Sequence, residues 1–310
     1  MSFLTYLING ISLGSVYAII ALGSTMVSGI AKMLNFAHGD IIMVGAYVAF
    51  ICAANLGLNP IISVLVSVLI CTVLGVLVER LAYKPLRSAT SLSVLITAIG
   101  VSYFLQNFAQ LIWGTDTKIF PNLIGTNFIS LFSGKLSISY LTVLTIVVCL
   151  LIMACLTWFI NNTKTGKAMR ACAEDKGAAQ LMGININNTI SITFAIGSGL
   201  AAIASVLLCL AYPAVYPTLG SMPGIKAFTA AVFGGIGSIP GAFLGGLLLG
   251  IIETFTKAYI STQLSDAIVF AVLIIVLLIK PTGLLGKKVR EKVWLRRYLI
   301  KNILNVQQLI

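Results

Sequence analysis

Long stretches without a single charge dominate the chain. Residues 1–31, 41–78, 88–115, 136–163, 177–225, 227–252 and 267–279 contain no Asp, Glu, Lys or Arg. A helix needs about 20 apolar residues to cross hydrocarbon, and several of these runs are that long. A β-barrel would alternate apolar and polar positions with period two, and stretches such as Ile61–Val78 do not. The pattern therefore predicts an all-α, polytopic helical membrane protein with spans near 3–30, 41–56, 60–79, 91–113, 138–160, 188–211 and 265–280. Region 223–258 is different, because Gly234, Gly235, Gly237, Pro240 and Gly241 interrupt it. It predicts a hairpin of two short helices meeting inside the protein, so that about 8–10 transmembrane helices include broken or re-entrant segments. Broken backbone survives at that depth only where protein or a wet cavity satisfies its polar groups.

Composition removes the competing classes. Of 310 residues, 59% are apolar and 9% charged, and the mean hydropathy is +1.05. Soluble proteins carry roughly 25% charged residues, so a soluble domain is excluded, as are disorder, coiled coil and collagen. The six cysteines lie scattered, mostly inside apolar runs, and read as small hydrophobes. Met1–Ala31 has no basic segment before its apolar stretch and reads as the first span rather than a cleaved signal.

The net charge of +12 marks a membrane side, not a nucleic-acid partner. Fifteen of the 20 basic residues sit in three places: Arg80, Lys84 and Arg87; Lys164, Lys167, Arg170 and Lys176; and eight from Lys280 to Lys301. Loops retained inside the cell collect Lys and Arg. Segment 161–187 and the C-terminus are thus expected inside, with loops 114–137 and 212–222 and the N-terminus outside. The division expected is a transmembrane domain over 1–286 and a basic amphipathic tail over 287–310, where Trp294 and Tyr298 suit the inner leaflet. Asn35–Phe50 and Gly237–Gly250 each open a run of small apolar residues with a polar or glycine turn, an echo suggesting two related halves.

The most informative segment runs from Thr163 to Asn185. Asp175 is placed to cap a short helix over Gly177–Met182, and Gly183 to end it. Ala178, Ala179, Leu181 and Met182 are expected to form one apolar face. Such a helix in a basic loop fits a groove on a soluble partner, or else lies on lipid headgroups; Arg170, Glu174 and Asp175, with charges of both signs, favour the groove.

Gly177-Ala-Ala-Gln-Leu-Met-Gly183 resembles the Glu-Ala-Ala-x-x-x-Gly coupling loop of ABC importer permeases, with Gly177 in place of the usual Glu. Together with Gly166-Lys-Ala-Met-Arg-Ala-Cys-Ala-Glu-Asp175, it resembles the branched-chain amino-acid permease family, in its LivH-type subunit. Asn35-Phe-Ala-His-Gly-Asp40, Glu79–Arg87, Gly224–Gly241 and Pro281-Thr-Gly-Leu-Leu-Gly286 follow the same pattern in order, so the likeness covers about residues 5–287.

The resemblance implies a permease subunit of an ATP-binding-cassette importer in a bacterial cytoplasmic (inner) membrane, passing aliphatic amino acids inward by alternating access. Its implied partners are a second homologous permease in a heterodimer, two cytoplasmic P-loop ATPases, an extracytoplasmic substrate-binding protein and the lipid bilayer. ATP and Mg would sit on the ATPases. Indeed no Gly-x-x-x-x-Gly-Lys-Ser/Thr loop precedes Ala168, because Asn161 stands where the first glycine belongs. No catalytic site, metal site or cofactor is expected in this chain. Coupling to the ATPases is assigned to Gly166, Arg170, Glu174, Asp175, Ala178, Ala179, Leu181, Met182 and Gly183. Related permeases for urea, amides or other amino acids share the pattern. An autonomous ion-coupled carrier or channel is the reading from another class, with Asp40, Glu253 and Asp266 as its few ionisable candidates.

Asn35, His38, Gly39 and Asp40 precede a helix-like run. They either cap a half-helix facing the translocation path, whose N-terminus would attract a carboxylate, or form a plain cytoplasmic turn. His38 is the single histidine, which excludes a multi-histidine metal site. Glu253 and Lys257, four apart, are expected to pair, with Lys226 and Asp266 near a membrane boundary. Gly234-Gly-Ile-Gly-Ser-Ile-Pro-Gly241 is no dinucleotide loop, because Pro240 occupies the final glycine position. Gly241-x-x-x-Gly245 and Gly246-x-x-x-Gly250 instead allow close helix approach, within the bundle or against a partner permease.

Overall fold

The computed structural model describes residues 2–33, 35–87, 89–123, 125, 128–131 and 136–286. The expected amphipathic tail 287–310 lies outside the described residues. The helices are α1 (Ser2–Ala31), α2 (His38–Phe50), α3 (Pro60–Val78), α4 (Ser91–Trp113), α5 (Tyr140–Asn162), α6 (Lys164–Glu174), α7 (Lys176–Leu181), α8 (Ile186–Ala211), α9 (Ser221–Gly234), α10 (Ile239–Tyr259) and α11 (Ser265–Ile279). One wider helical turn continues each of α2 and α3, over Ile51–Asn55 and Glu79–Tyr83. Two small antiparallel ribbons complete the fold, β1 (Lys118–Ile119) with β4 (Ala214–Val215), and β2 (Phe128–Leu131) with β3 (Leu136–Ser139).

Side-chain caps fix most helix starts. Asn59, Thr90, Ser139, Asn185 and Ser238 accept backbone N–H bonds at the heads of α3, α4, α5, α8 and α10. Seven helices among the described residues are long and apolar enough to cross a membrane, and the chain is a multi-pass membrane protein. The 14-residue α9 and 15-residue α11 are shorter.

α1 is the central post, packed against α10, α8, α9 and α5. Glycines make this closeness: a Cβ on Gly14 would stand 2.7 Å from the Leu247 carbonyl oxygen, and one on Gly246 would stand 2.8 Å from Ala18 Cβ. Gly241 and Gly245 meet Gly234 and Ala230 of α9, while Gly246 and Gly250 meet Ala18 and Gly14 of α1. Both glycine spacings are thus used inside the bundle, on two different neighbours. Gly14→Val is expected to lower the melting temperature of the detergent-extracted protein by more than about 10 °C, since the obstacle is backbone on both sides. Gly100→Val, whose Cβ meets nothing within 4 Å, is the control expected to move it little.

The glycine-broken region 223–258 gives α9 and α10 with a tight turn at Gly235 and Gly237, both at positive φ. The expected pair of short helices is corrected, because α10 at 21 residues is a full-length helix and only α9 is short. Gly23 of α1 crosses Gly197 of α8, with a Cβ on Gly23 only 3.0 Å from His38 Cε1. Gly23 lies eight residues, about 12 Å, before the end of α1, and Gly197 lies eleven, about 16 Å, after the start of α8. The head of α2 therefore lies well inside the lengths of α1 and α8 rather than at their ends. The head of α9 meets it there: a Cβ on Gly224 would be 2.9 Å from Gly39 Cα, and one on Gly220 would overlap the Gly39 carbonyl.

Two halves emerge with opposite direction. α1 is followed by α2, which rests on α8; α8 is followed by the short α9, which rests on α1. α10 packs along α1 as α3 packs along α8. The counterpart of Asn35–Phe50 is thus the segment leading into α9, not Gly237–Gly250. The sequence echo misled because glycine-opened runs recur wherever helices pack closely.

Candidate functional site

Several groups of polar residues stand out against the apolar bundle, among them a buried Glu79 that pairs with Arg87 and accepts from Ser191 Oγ at 2.7 Å. The first of the others is the platform at its basic end. Thr163 Oγ1 accepts from Gly166 N at 3.0 Å and starts α6, a helix not foreseen from the sequence. Gly166 lets α6 fold back on α5, because a side chain there would meet the Phe159 and Ile160 backbone. Arg170 reaches Asn161 at 3.4 Å. Asp175 breaks α6 and caps α7, its Oδ1 accepting from Gly177 N at 2.9 Å and Ala178 N at 3.2 Å. Gly183, at φ +79, ends the motif.

The expected apolar face of α7 is split. Ala179 is buried against the bundle, whereas Ala178 is exposed and Leu181 and Met182 stand out at 90% and 82% exposure. A helix this short cannot keep four residues on one face when its neighbour α8 covers one side. Two lysines tie the platform to α1: Lys176 Nζ donates to the Ala31 carbonyl at 2.7 Å, and Lys32 Nζ to the Glu174 carbonyl at 3.3 Å. The last carbonyls of a helix have no intrahelical donor and carry negative partial charge, so an ammonium is a natural partner there. Burial pushes the Lys176 ammonium below its ordinary pKa, with the Lys32 and Arg87 charges adding to the effect.

The second group lies at the head of α2. His38 and Asp40 are only 3% and 2% exposed, whereas Asn35 is half-buried and Phe36 is exposed. Asn35 Oδ1 accepts from Tyr83 OH at 2.8 Å. Gln106 Nε2 donates to Asp40 Oδ1 at 2.9 Å and approaches Ser102 Oγ at 3.2 Å and Ser221 Oγ at 3.3 Å, which joins α4 to α2 and α9. Beside them is a cavity of about 30 Å³ lined by Ser24, Ser28, Asn35, Phe36, His38, Gly39, Ser221, Gly224, Ile225 and Phe228. Its wall includes the Phe36–Phe228 ring pair, 5.8 Å between centroids.

The third group is ionic. The expected Glu253–Lys257 pair is present at 2.6 Å, but Glu253 also takes Lys226 at 2.9 Å and Tyr17 OH at 2.9 Å, and Lys226 reaches Asp266 at 2.7 Å. Lys226, expected with Asp266 near a membrane boundary, is buried in this cluster, whose other members Lys257 and Asp266 lie in the last turn of α10 and the first turn of α11. Four-residue spacing points to Lys257 alone; Lys226 lies 27 residues away on another helix. Gln106 and Ser221 likewise escaped the sequence reading, since a lone Gln or Ser in an apolar run carries no distinguishing pattern.

The family described as the branched-chain amino acid transport system permease component matches residues 6–277. The high-affinity branched-chain amino acid transport system permease protein BraD of Pseudomonas aeruginosa is 47% identical over 302 residues, covering 94% of this chain and 98% of the relative. The permease protein LivH of the corresponding Escherichia coli K12 system is 46% identical over 301 residues, with the same coverage. A probable LivH permease of Methanocaldococcus jannaschii is 31% identical over 286 residues, covering 86% of this chain and 88% of the relative. No solved structure matches.

Proposed function

The chain belongs to the branched-chain amino acid transport permease family, and from that premise we propose that it works as the membrane half of an ATP-driven importer of leucine, isoleucine and valine. The basic end faces the cytoplasm, in keeping with the placement of Lys and Arg. One observation carries the coupling role: Leu181 and Met182 project from a capped helix that two lysines fasten to the central post α1. Exposed apolar side chains on a rigid polar platform suit a groove in a soluble ATPase. A push on α7 passes through Lys176 into the end of α1, and from there to α8, α9 and α10, which all rest on it. Gly166 and Arg170 hold α6 against α5, Glu174 and Asp175 set the angle between α6 and α7, and Gly183 releases the chain into α8.

The partners in this reading are two P-loop ATPases holding ATP and Mg, a second permease and an extracytoplasmic binding protein. In this reading Asn35, His38, Gly39 and Asp40 line the route. The test is uptake into vesicles that contain the co-purified permeases and ATPases, with the binding protein outside and ATP inside. Leucine accumulation that requires all components supports the reading. Uptake by this chain alone, driven by a sodium or proton gradient, overturns it. Uptake of urea in place of leucine moves the cargo while leaving the mechanism.

A further inference from the structure

We infer that the cavity between α1, α5, α8 and α10, at the end of the bundle opposite the platform, holds the phosphate of a membrane phospholipid, with Lys257 as its counter-ion and Ser12, Thr142 and Thr254 as hydroxyl donors. The inference concerns a lipid bound to the permease and does not rest on the identity of the cargo.

Position is the first argument. The cavity has a volume of about 650 Å³, within the range of small-molecule sites. Its walls come from the first half of α1, the head of α5 and the ends of α8 and α10, whereas the platform adjoins the opposite ends of α1, α5 and α8. No lining residue belongs to α2 or α9, so the cavity is separate from the polar group at the head of α2. The lining residues furthest from the helix ends, Val16, Thr145 and Leu208, are buried and close it inward. Tyr6, Tyr140, Tyr212 and Tyr259 fall within about one turn of these helix ends. Tyr6 and Tyr259 meet at 5.6 Å between ring centroids, and Phe255 extends the group to Phe3. Such a belt of rings marks the level at which hydrocarbon gives way to headgroups.

The wall is polar where a lipid-facing wall would be apolar. Ser12, Thr142 and Thr254 contribute hydroxyls and Asn9 an amide, and none of the four side chains is taken by a neighbour among the described residues. Polar groups on membrane helices are costly unless something satisfies them. Lys257 completes the wall: its side chain is 35% exposed, and one of its three N–H donors goes to Glu253 at 2.6 Å. Glu253 also holds Lys226 and Tyr17 OH, each at 2.9 Å, so Lys257 can lean toward a second anion without stranding a buried carboxylate. A phosphodiester spreads one charge over two free oxygens, which an ammonium and a ring of hydroxyls together satisfy.

Inward of the cavity the same two helices turn apolar and exposed, through Leu144 and Leu151 on α5 and Leu248 and Leu244 on α10. These surfaces suit the acyl chains of a lipid whose headgroup sits above them, and a free phosphate has no use for them. A lipid seated in this way bridges α1, α5 and α10 at the end where the platform does not hold them.

The test uses the full chain in detergent, washed free of lipid and titrated with phosphatidylglycerol, with native mass spectrometry and thermal melting as readouts. One phospholipid should be retained per chain, and the melting temperature should rise by about 5 °C or more at saturation. Dioleoylglycerol, which has the chains without the phosphate, and inorganic phosphate should each leave it unchanged. Lys257→Gln and Thr142→Val should each shift the titration midpoint about tenfold toward weaker binding. Thr142 lies on α5, apart from the ionic cluster, so its effect does not pass through a loosened Glu253. The change on adding lipid is the quantity compared, so a variant that is merely less stable does not count. Equal stabilisation by dioleoylglycerol would show a surface without a headgroup site, stabilisation by inorganic phosphate a free-anion site, and stabilisation by leucine that both variants lose a cargo site. Each of these overturns the inference, as does a titration with no lipid-dependent rise or one that neither variant shifts.

Discussion

Leucine uptake is expected to fall to background when Leu181 and Met182 are both replaced by aspartate, with the permease still folded and present in the membrane at its normal level. The two side chains are almost fully exposed at the tip of α7 and touch little of their own chain, so their replacement costs the permease almost nothing. Against a partner the accounting reverses. Burying a Leu or Met contributes about 1.5–3 kcal/mol each, so losing both removes roughly 3–6 kcal/mol, or two to four decades of affinity, before the added charge is considered. The ATPases should fail to co-purify, and any ATP hydrolysis they retain should no longer respond to the loaded binding protein. Normal co-purification and uptake in the double variant would move the docking site away from α7. Lys176→Met sharpens the result, because it leaves the tip intact and removes the bond to the Ala31 carbonyl. ATPases that stay bound while uptake drops would show α1 to be the element that receives the push.

Glu253→Ala is expected to destabilise the protein by about 3–5 kcal/mol, a fall in melting temperature of the order of 10 °C in detergent. Glu253 is 1% exposed and holds Lys226, Lys257 and the Tyr17 hydroxyl at once. Without it, Lys226 remains buried with a single counter-ion, Asp266, and Tyr17 loses its acceptor. Lys257 is half-buried near the end of α10 and can turn toward water. The compensating change distinguishes charge burial from loss of shape: Glu253→Leu combined with Lys226→Met removes both buried charges and should recover most of the loss. A double variant as unstable as Glu253→Ala would show that the cluster acts through its packing, and single variants as stable as the wild type would show that water already reaches it.

The sequence and the tertiary structure divided the description along a physical line. Features that depend on neighbours within one or two helical turns were legible: the apolar runs that became membrane helices, the Asp175 cap, the Gly183 stop, the Glu253–Lys257 pair and the glycine break before α10. Each is a contact over four residues or fewer, or a solvent preference of one segment, so the local string contains it. The platform's exposed tip was half legible. The cap was in the sequence, but the split of Ala179 from Leu181 and Met182 depended on α8 lying against one side.

What tertiary structure alone decided are the meetings of distant segments. Lys226 joined Glu253, Tyr17 and Asp266 from three other helices. Gln106 tied Asp40 to Ser221. Asn35–Asp40 could be read either as a surface turn or as a half-helix head, and only the tertiary structure placed His38 at the Gly23–Gly197 crossing. In a bilayer every helix looks alike from outside, because lipid and protein interiors are equally apolar and hydropathy cannot tell which face is buried. The sequence by itself determined that the chain spans the membrane, where most of its long helices lie, and which family it resembles; packing of small residues, felt only when two helices touch, decided which helices meet.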